Sequence, residues 1–123
     1  GGLASVQGKI FAAFKPREER EAILSRPQAR LTPYTITEPD ALTQELDRIR
    51  ETDLAYDMEG LYMSTCAVGS PVRDQMGKVV AAIAVVVPTG RFGPKERDLC
   101  AHSVKKAADS LSAYLGWNEG PKA

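Results

Sequence analysis

The fold is decided by Arg30-Leu31-Thr32-Pro33-Tyr34-Thr35-Ile36-Thr37-Glu38-Pro39-Asp40-Ala41-Leu42, a helix to about Arg50, the word Pro71-Val72-Arg73-Asp74, a glycine turn and a valine-rich run over 78–87. Prolines and threonines make 27–37 an extended connector. Pro39 suits the first turn of a helix. Leu42, Leu46 and Ile49 then recur at i, i+4 and i+7 among Gln44, Glu45, Asp47 and Arg48, an apolar stripe that must lie on something.

Valine and isoleucine place strands at 54–58, 64–73 and 78–87. Asp74-Gln75-Met76-Gly77 reads as the hairpin loop joining the last two, with glycine where positive φ is needed. Upstream, Ser5 can cap a short apolar helix over 8–14. Lys15-Pro16-Arg17-Glu18-Glu19 starts a second helix that stops before Pro27. The closing helix, 94–115, puts Val104, Ala108, Leu111 and Leu115 on one face, with Gly116 as its cap. The tail 117–123, with Gly120-Pro121, is expected to fray. Helices, a hairpin and a closing helix make an α+β domain.

The 123 residues suffice for one core. Sixteen basic and sixteen acidic residues balance, so no global field draws the chain to phosphate backbones or anionic membranes. No segment is long and apolar enough to span a bilayer, and none reads as a helix-turn-helix. Cys66 and Cys100, without CxxC partners, are read as buried free thiols in a reducing cytoplasm and not as zinc ligands.

Candidate chemistry is sparse. Gly2 with Gly8-Lys9 fails as a phosphate loop, because the glycine spacing is wrong and Ile10 replaces the magnesium-binding hydroxyl. Backbone N–H groups near Ser5 to Gly8 could receive a ligand carboxylate, although the residues alone favour Ser5 as a helix cap and Gly8 as a point of close packing. Asp57 could point into a cavity, although a strand-end aspartate is ordinarily solvated. Asp53, Asp57 and Glu59 lack the further ligands of a metal site. His102 has no nucleophile arranged beside it, and Glu96, Asp98 and Asp109 interrupt the bases Lys95, Arg97, Lys105 and Lys106.

From about Ser5 to Leu115 these words, in this order, resemble the C-terminal effector-binding domain of IclR-type (isocitrate lyase regulator) bacterial transcription factors. The resemblance implies a GAF/profilin-like antiparallel sheet with flanking helices. It implies a pocket lined by a helix-opening glycine turn, a strand aspartate, a cysteine ahead of the Pro-Val-Arg-Asp word, and two serines in the next strand. These positions fall on Val6, Gln7 and Gly8, on Asp57, on Ala67 beside Cys66, and on Ala84 and Val86. Val6, Ala67, Ala84 and Val86 would make the pocket apolar, suited to a hydrophobic or aromatic organic acid. Asp57 would repel a carboxylate and should meet a hydroxyl or amine.

The resemblance covers the C-terminal two-thirds of a regulatory domain, so residues 1–123 are expected to form an effector-sensing domain without its first strands and without the N-terminal winged helix-turn-helix that reads DNA. An exposed sheet edge, and pairing into a homodimer or homotetramer, are expected. No cofactor, metal or catalytic residue is implied. The alternatives are a stand-alone enzyme acting on a small organic acid with Asp57 as general base, and a dimerisation module that binds no ligand.

Overall fold

Ser5 has extended backbone angles, and its Oγ accepts the Gly8 N–H at 3.0 Å. That satisfies a donor with no intrahelical acceptor and opens α1 (Val6–Ala13). The computed structural model describes residues 2–118; Gly1 and residues 119–123, which include the Gly120-Pro121 part of the tail, lie outside the described residues. Pro16 precedes α2 (Arg17–Leu24), which carries Glu18 and Glu19 in its first turn, buries no residue, and stands outside α1 and α3. Pro39 takes the first turn of α3 (Pro39–Thr52), whose Leu42, Leu46 and Ile49 are buried as their spacing requires.

Strands β1 (Ala55–Met58), β2 (Thr65–Arg73) and β3 (Val79–Pro88) form an antiparallel sheet in the order β1-β2-β3. One face, with Ala55, Ala67, Ala82 and Ala84, packs under Val6 and Ile10 of α1 and Leu42 and Leu46 of α3. The other, with Tyr56, Cys66, Val68, Ile83 and Val85, packs on Ala101 and Val104 of α4 (Pro94–Tyr114). The central strand β2 is therefore buried on both faces, and its alternation sends Cys66 and Ala67 to opposite layers. Both cysteines are free thiols, but Cys100 is only half-buried, not buried as expected.

The face of α4 differs from its sequence reading. Ala101, Val104, Ala108 and Ser112 are buried, while Leu111 and Leu115 are 39% and 37% exposed. The register of the β2–β3 pair shifts between Val72 and Arg73, and there the Arg73 N–H donates to Ser112 Oγ at 2.9 Å. A backbone donor of β2 thus takes its acceptor from α4, a polar contact that apolar periodicity does not record. Gly116, at φ 97, and Trp117 close the helix by donating to the carbonyls of Ala113 and Ser112, the paired bonds of a Schellman cap.

Pro-Val-Arg-Asp is a structural joint. Pro71 and Val72 are buried, and Arg73 makes a bidentate pair with Asp53 (2.9 and 3.0 Å), the left-handed residue ending α3. Ser70 Oγ donates to the Asp53 carbonyl at 2.7 Å, and the guanidinium lies 4.9 Å from the Phe14 ring centroid. Asp74 shapes the hairpin by accepting from the N–H groups of Met76 and Lys78, with Gly77 at φ 81. Asp53→Asn keeps the left-handed geometry but removes the charge opposite a mostly buried guanidinium. It is expected to lower the unfolding free energy by about 3 kcal/mol in urea denaturation; a loss below about 1 kcal/mol would remove the joint from the energetics.

Candidate ligand-binding site

β1 carries Asp57 to the outer edge of the sheet. The strand register places Asp57, Ala67 and Val86 in one cross-strand row and Ala55, Gly69 and Ala84 in the next, so their positions share a face. Asp57 is only 4% exposed, against the ordinary expectation for a strand end, because the following loop turns back over it. Its Oδ1 accepts the Gly60 N–H at 2.8 Å, the carboxylate's sole hydrogen bond among the described residues. A Cβ at position 60 would stand 2.9 Å from that oxygen, so a larger residue there would displace the carboxylate.

Val6 and Ala67 are packed in the core, Ala84 is half-buried, and Val86 is 67% exposed on the open strand β3. Gln7 is exposed. The Gly8 N–H is taken by Ser5, and the Gly2 carbonyl oxygen sits 1.9 Å from where a Cβ of residue 8 would be. At this turn, capping and close backbone packing are what the atoms do.

A cavity of about 300 Å³ opens beside Asp57 along the free edge of β1. Leu3, Tyr34, Ile36, Tyr56 and Met58 give it apolar and aromatic walls, Arg48 and Arg97 stand on it, and Lys9, Glu45 and Asp57 supply the remaining charge. Of the residues expected at a ligand, Asp57 lines this cavity, whereas Val6, Gln7, Gly8, Ala67, Ala84 and Val86 do not. A cleft of about 500 Å³ between α2 and α3 is lined in part by chains already paired, Arg17 with Glu21 and Arg20 with Asp47.

Two residues of the cavity escaped sequence reasoning. Lys9, 4% exposed, donates to Glu45 Oε1 at 2.9 Å and to the Tyr56 carbonyl at 3.1 Å. Glu45 Oε2 is buried with no hydrogen-bond partner among the described residues. The signal was available. Val6, Lys9, Ile10 and Ala13 repeat the i, i+3, i+4, i+7 spacing of Leu42, Glu45, Leu46 and Ile49, with one charge of opposite sign on each buried face.

The cavity roof is held by hydroxyls. Thr35 Oγ1 accepts the N–H groups of Leu31 and Thr32 (3.0 and 2.9 Å) and donates to the Gly60 carbonyl at 2.6 Å. Thr32 Oγ1 donates to the Glu59 carbonyl at 2.6 Å and accepts the Tyr34 N–H at 3.0 Å. The connector is thereby fastened to the loop that covers Asp57, which fixes Tyr34 and Ile36 over the opening. Thr35→Val should leave two backbone donors without an acceptor, cost about 2 kcal/mol in stability, and speed amide exchange over residues 31–36. Unchanged exchange there would rule out the clamp.

Burial raises the Tyr56 hydroxyl pKa above its ordinary 10.0; Arg97 opposes this and Asp98 adds to it. A raised folded-state value means the neutral hydroxyl favours the fold. That contribution is complete below about pH 10 and is lost as pH climbs from there through the folded-state value. Tyr56→Phe should therefore flatten part of the fall in stability above pH 10 seen by alkaline thermal unfolding. Superimposable profiles would contradict the assignment.

A family model described as the bacterial transcriptional regulator IclR C-terminal domain matches residues 3–113. Escherichia coli KdgR, an HTH-type transcriptional regulator, is 31% identical over 115 residues, which are 93% of this chain and 44% of the regulator. The crystal structure of its C-terminal domain superposes with a TM-score of 0.83 at 30% identity, covering 93% of this chain and 70% of that one. The HTH-type regulator Rv1719 of Mycobacterium tuberculosis is 41% identical over 113 residues, 92% of this chain and 42% of the relative. The inducer-binding domain of the transcription factor PobR from Acinetobacter, solved as a double mutant with 3-hydroxybenzoic acid, gives a TM-score of 0.81 at 27% identity, over 89% of this chain and 63% of its own. The chain thus spans less than half the length of KdgR and Rv1719.

Proposed function

The chain belongs to the IclR C-terminal domain family, and on that premise we propose that it is the effector-sensing part of a bacterial transcription regulator, binding an apolar or aromatic organic acid that carries a hydroxyl. One observation carries the reading: Asp57 is buried at a cavity with a carboxylate oxygen to spare, while Arg48 and Arg97 on the same cavity make no ion pair among the described residues. A hydroxyl would donate to Asp57, a carboxylate would meet the arginines, and a hydrophobic body would lie along Tyr34, Ile36, Tyr56 and Met58. The relative solved with 3-hydroxybenzoic acid supports an effector of this kind.

The ligand set we assign is Asp57 with the other residues of its cavity; Val6, Gln7, Gly8, Ala67, Ala84 and Val86, the further positions the resemblance implied, lie off that cavity. Ala67 stands directly across the strand pair from Asp57 and Val86 across from Ala67, so the apolar row continues from the aspartate. The regulator would work in the cytoplasm as a homodimer or homotetramer and would reach DNA through a winged helix-turn-helix elsewhere in the polypeptide, as the HTH-type names of the relatives suggest. Among the described residues no helix is long and apolar enough to cross a membrane. The open edge of β3, with Val80 and Val86 exposed, is a surface against which a further strand or a second copy would pair. Ligand occupancy would bias the arrangement of subunits without chemical turnover.

Thermal unfolding against pyruvate, glyoxylate, aliphatic acids and hydroxylated aromatic acids tests this reading. An effector at a hundredfold its dissociation constant should add about 2.7 kcal/mol. Stabilisation by the hydroxylated aromatic class, lost in Asp57→Ala, is the expected result. Stabilisation by pyruvate alone, or a panel without effect, would refute it.

A further inference from the structure

The corner where α1 gives way to α2 gathers positive charge that its surroundings do not balance. Formal charge over the whole chain is zero. The cleft of about 500 Å³ between α2 and α3 nevertheless sets four cations, Lys15, Arg17, Arg20 and Arg50, against two carboxylates, Glu21 and Asp47. Both carboxylates are taken, Glu21 by Arg17 and Asp47 by Arg20. Lys15 and Arg50 make no ion pair among the described residues. We propose that this cleft, which shares no residue with the Asp57 cavity, is a second ligand site and takes the dianionic head of a phosphate monoester.

Arg50 is fixed by groups that do not cancel its charge. It donates to the Ala13 carbonyl at 2.9 Å, and its guanidinium lies 5.9 Å from the Phe14 ring centroid. Arg20 is fixed as well: Nη2 gives to both the Thr43 carbonyl and Asp47, while the N–H groups on its other two nitrogens have no acceptor among the described residues. A guanidinium already held in place loses little freedom on binding and offers forked donors that match phosphate oxygens. Lys15, exposed at the corner, adds a point charge. A phosphate monoester carries about −1.5 to −2 charge at neutral pH and answers the two unbalanced cations, whereas a carboxylate answers one. Pro16 and Leu24 line the same cleft and give an ester chain apolar surface to lie on. Lys15 and Arg50 also border the neighbouring cleft toward the hairpin, where Lys78 and Glu19 offset each other, so the excess stays at the corner. The site stands independently of the effector reading.

Calorimetric titration of the whole chain with butyl phosphate, with inorganic phosphate and butyrate as references, provides the test. Butyl phosphate should bind at a single site per chain. Arg50→Gln should weaken it about tenfold, the size of one hydrogen bond to a charged group. Lys15→Gln, at an exposed position, should weaken it about threefold, and carries the test should Arg50→Gln fail to fold. Arg97→Gln, on the Asp57 cavity, should leave the affinity unchanged. Inorganic phosphate should bind more weakly for want of the alkyl chain, and butyrate for want of the second charge. Affinity unmoved in Lys15→Gln, affinity lost in Arg97→Gln, equal affinity for either reference, or no saturable binding of butyl phosphate would each overturn the inference, and none of them bears on the effector reading.

Discussion

The ion pair between Lys9 and Glu45 is the constraint around which the other parts are arranged. It ties α1 to α3 and, through the Tyr56 carbonyl, ties both helices to the free edge of β1. Burying two charges costs several kcal/mol per ion before attraction returns any of it, and the return is complete only when every lone pair is used. Here one carboxylate oxygen is not used. Two apolar side chains would hold the same helices together at least as well, so the pair is better understood through the cavity it lines than through the stability of the fold.

The second joint is the Asp53–Arg73 pair, at the opposite end of α3 from the cavity-roofing connector. It fixes the point where α3 turns into β1 and sets the start of the strand that carries Asp57. Between these two joints, β1 is short and has little freedom, which suits a strand that must present a buried carboxylate. The threonine clamp from the connector to Glu59 and Gly60 completes the enclosure from outside.

Much of this fold could be read in the residues. The prolines at 16 and 39, Ser5 and Gly116 mark helix ends by mechanisms that act within a turn of the chain, and the strands of β-branched residues are as plain. What escaped depends on distant polar partners. Ser112, not Leu111, lies on the buried face of α4, where it accepts a backbone N–H of β2, and no periodicity encodes that. Asp57 was legible as a position but its burial was not, since burial comes from a loop closing over it and from threonines more than twenty residues away in the chain. Lys9 and Glu45 were legible in principle as charges on apolar stripes; only their mutual spacing in three dimensions makes them a pair.

The edge of β1, with Asp57, is the proposed seat of a hydroxylated organic acid. Backbone amide NMR of the isotopically labelled chain, titrated with a hydroxybenzoate, addresses it most directly, because it locates contact without requiring a variant. Binding at this edge gives saturable shifts concentrated at Tyr34, Tyr56 to Gly60, Lys9 and Glu45, with β3 beyond Val86 and the exposed face of α4 unmoved. Shifts clustered instead at α2 or on α4, with Asp57 and Gly60 silent, would contradict it.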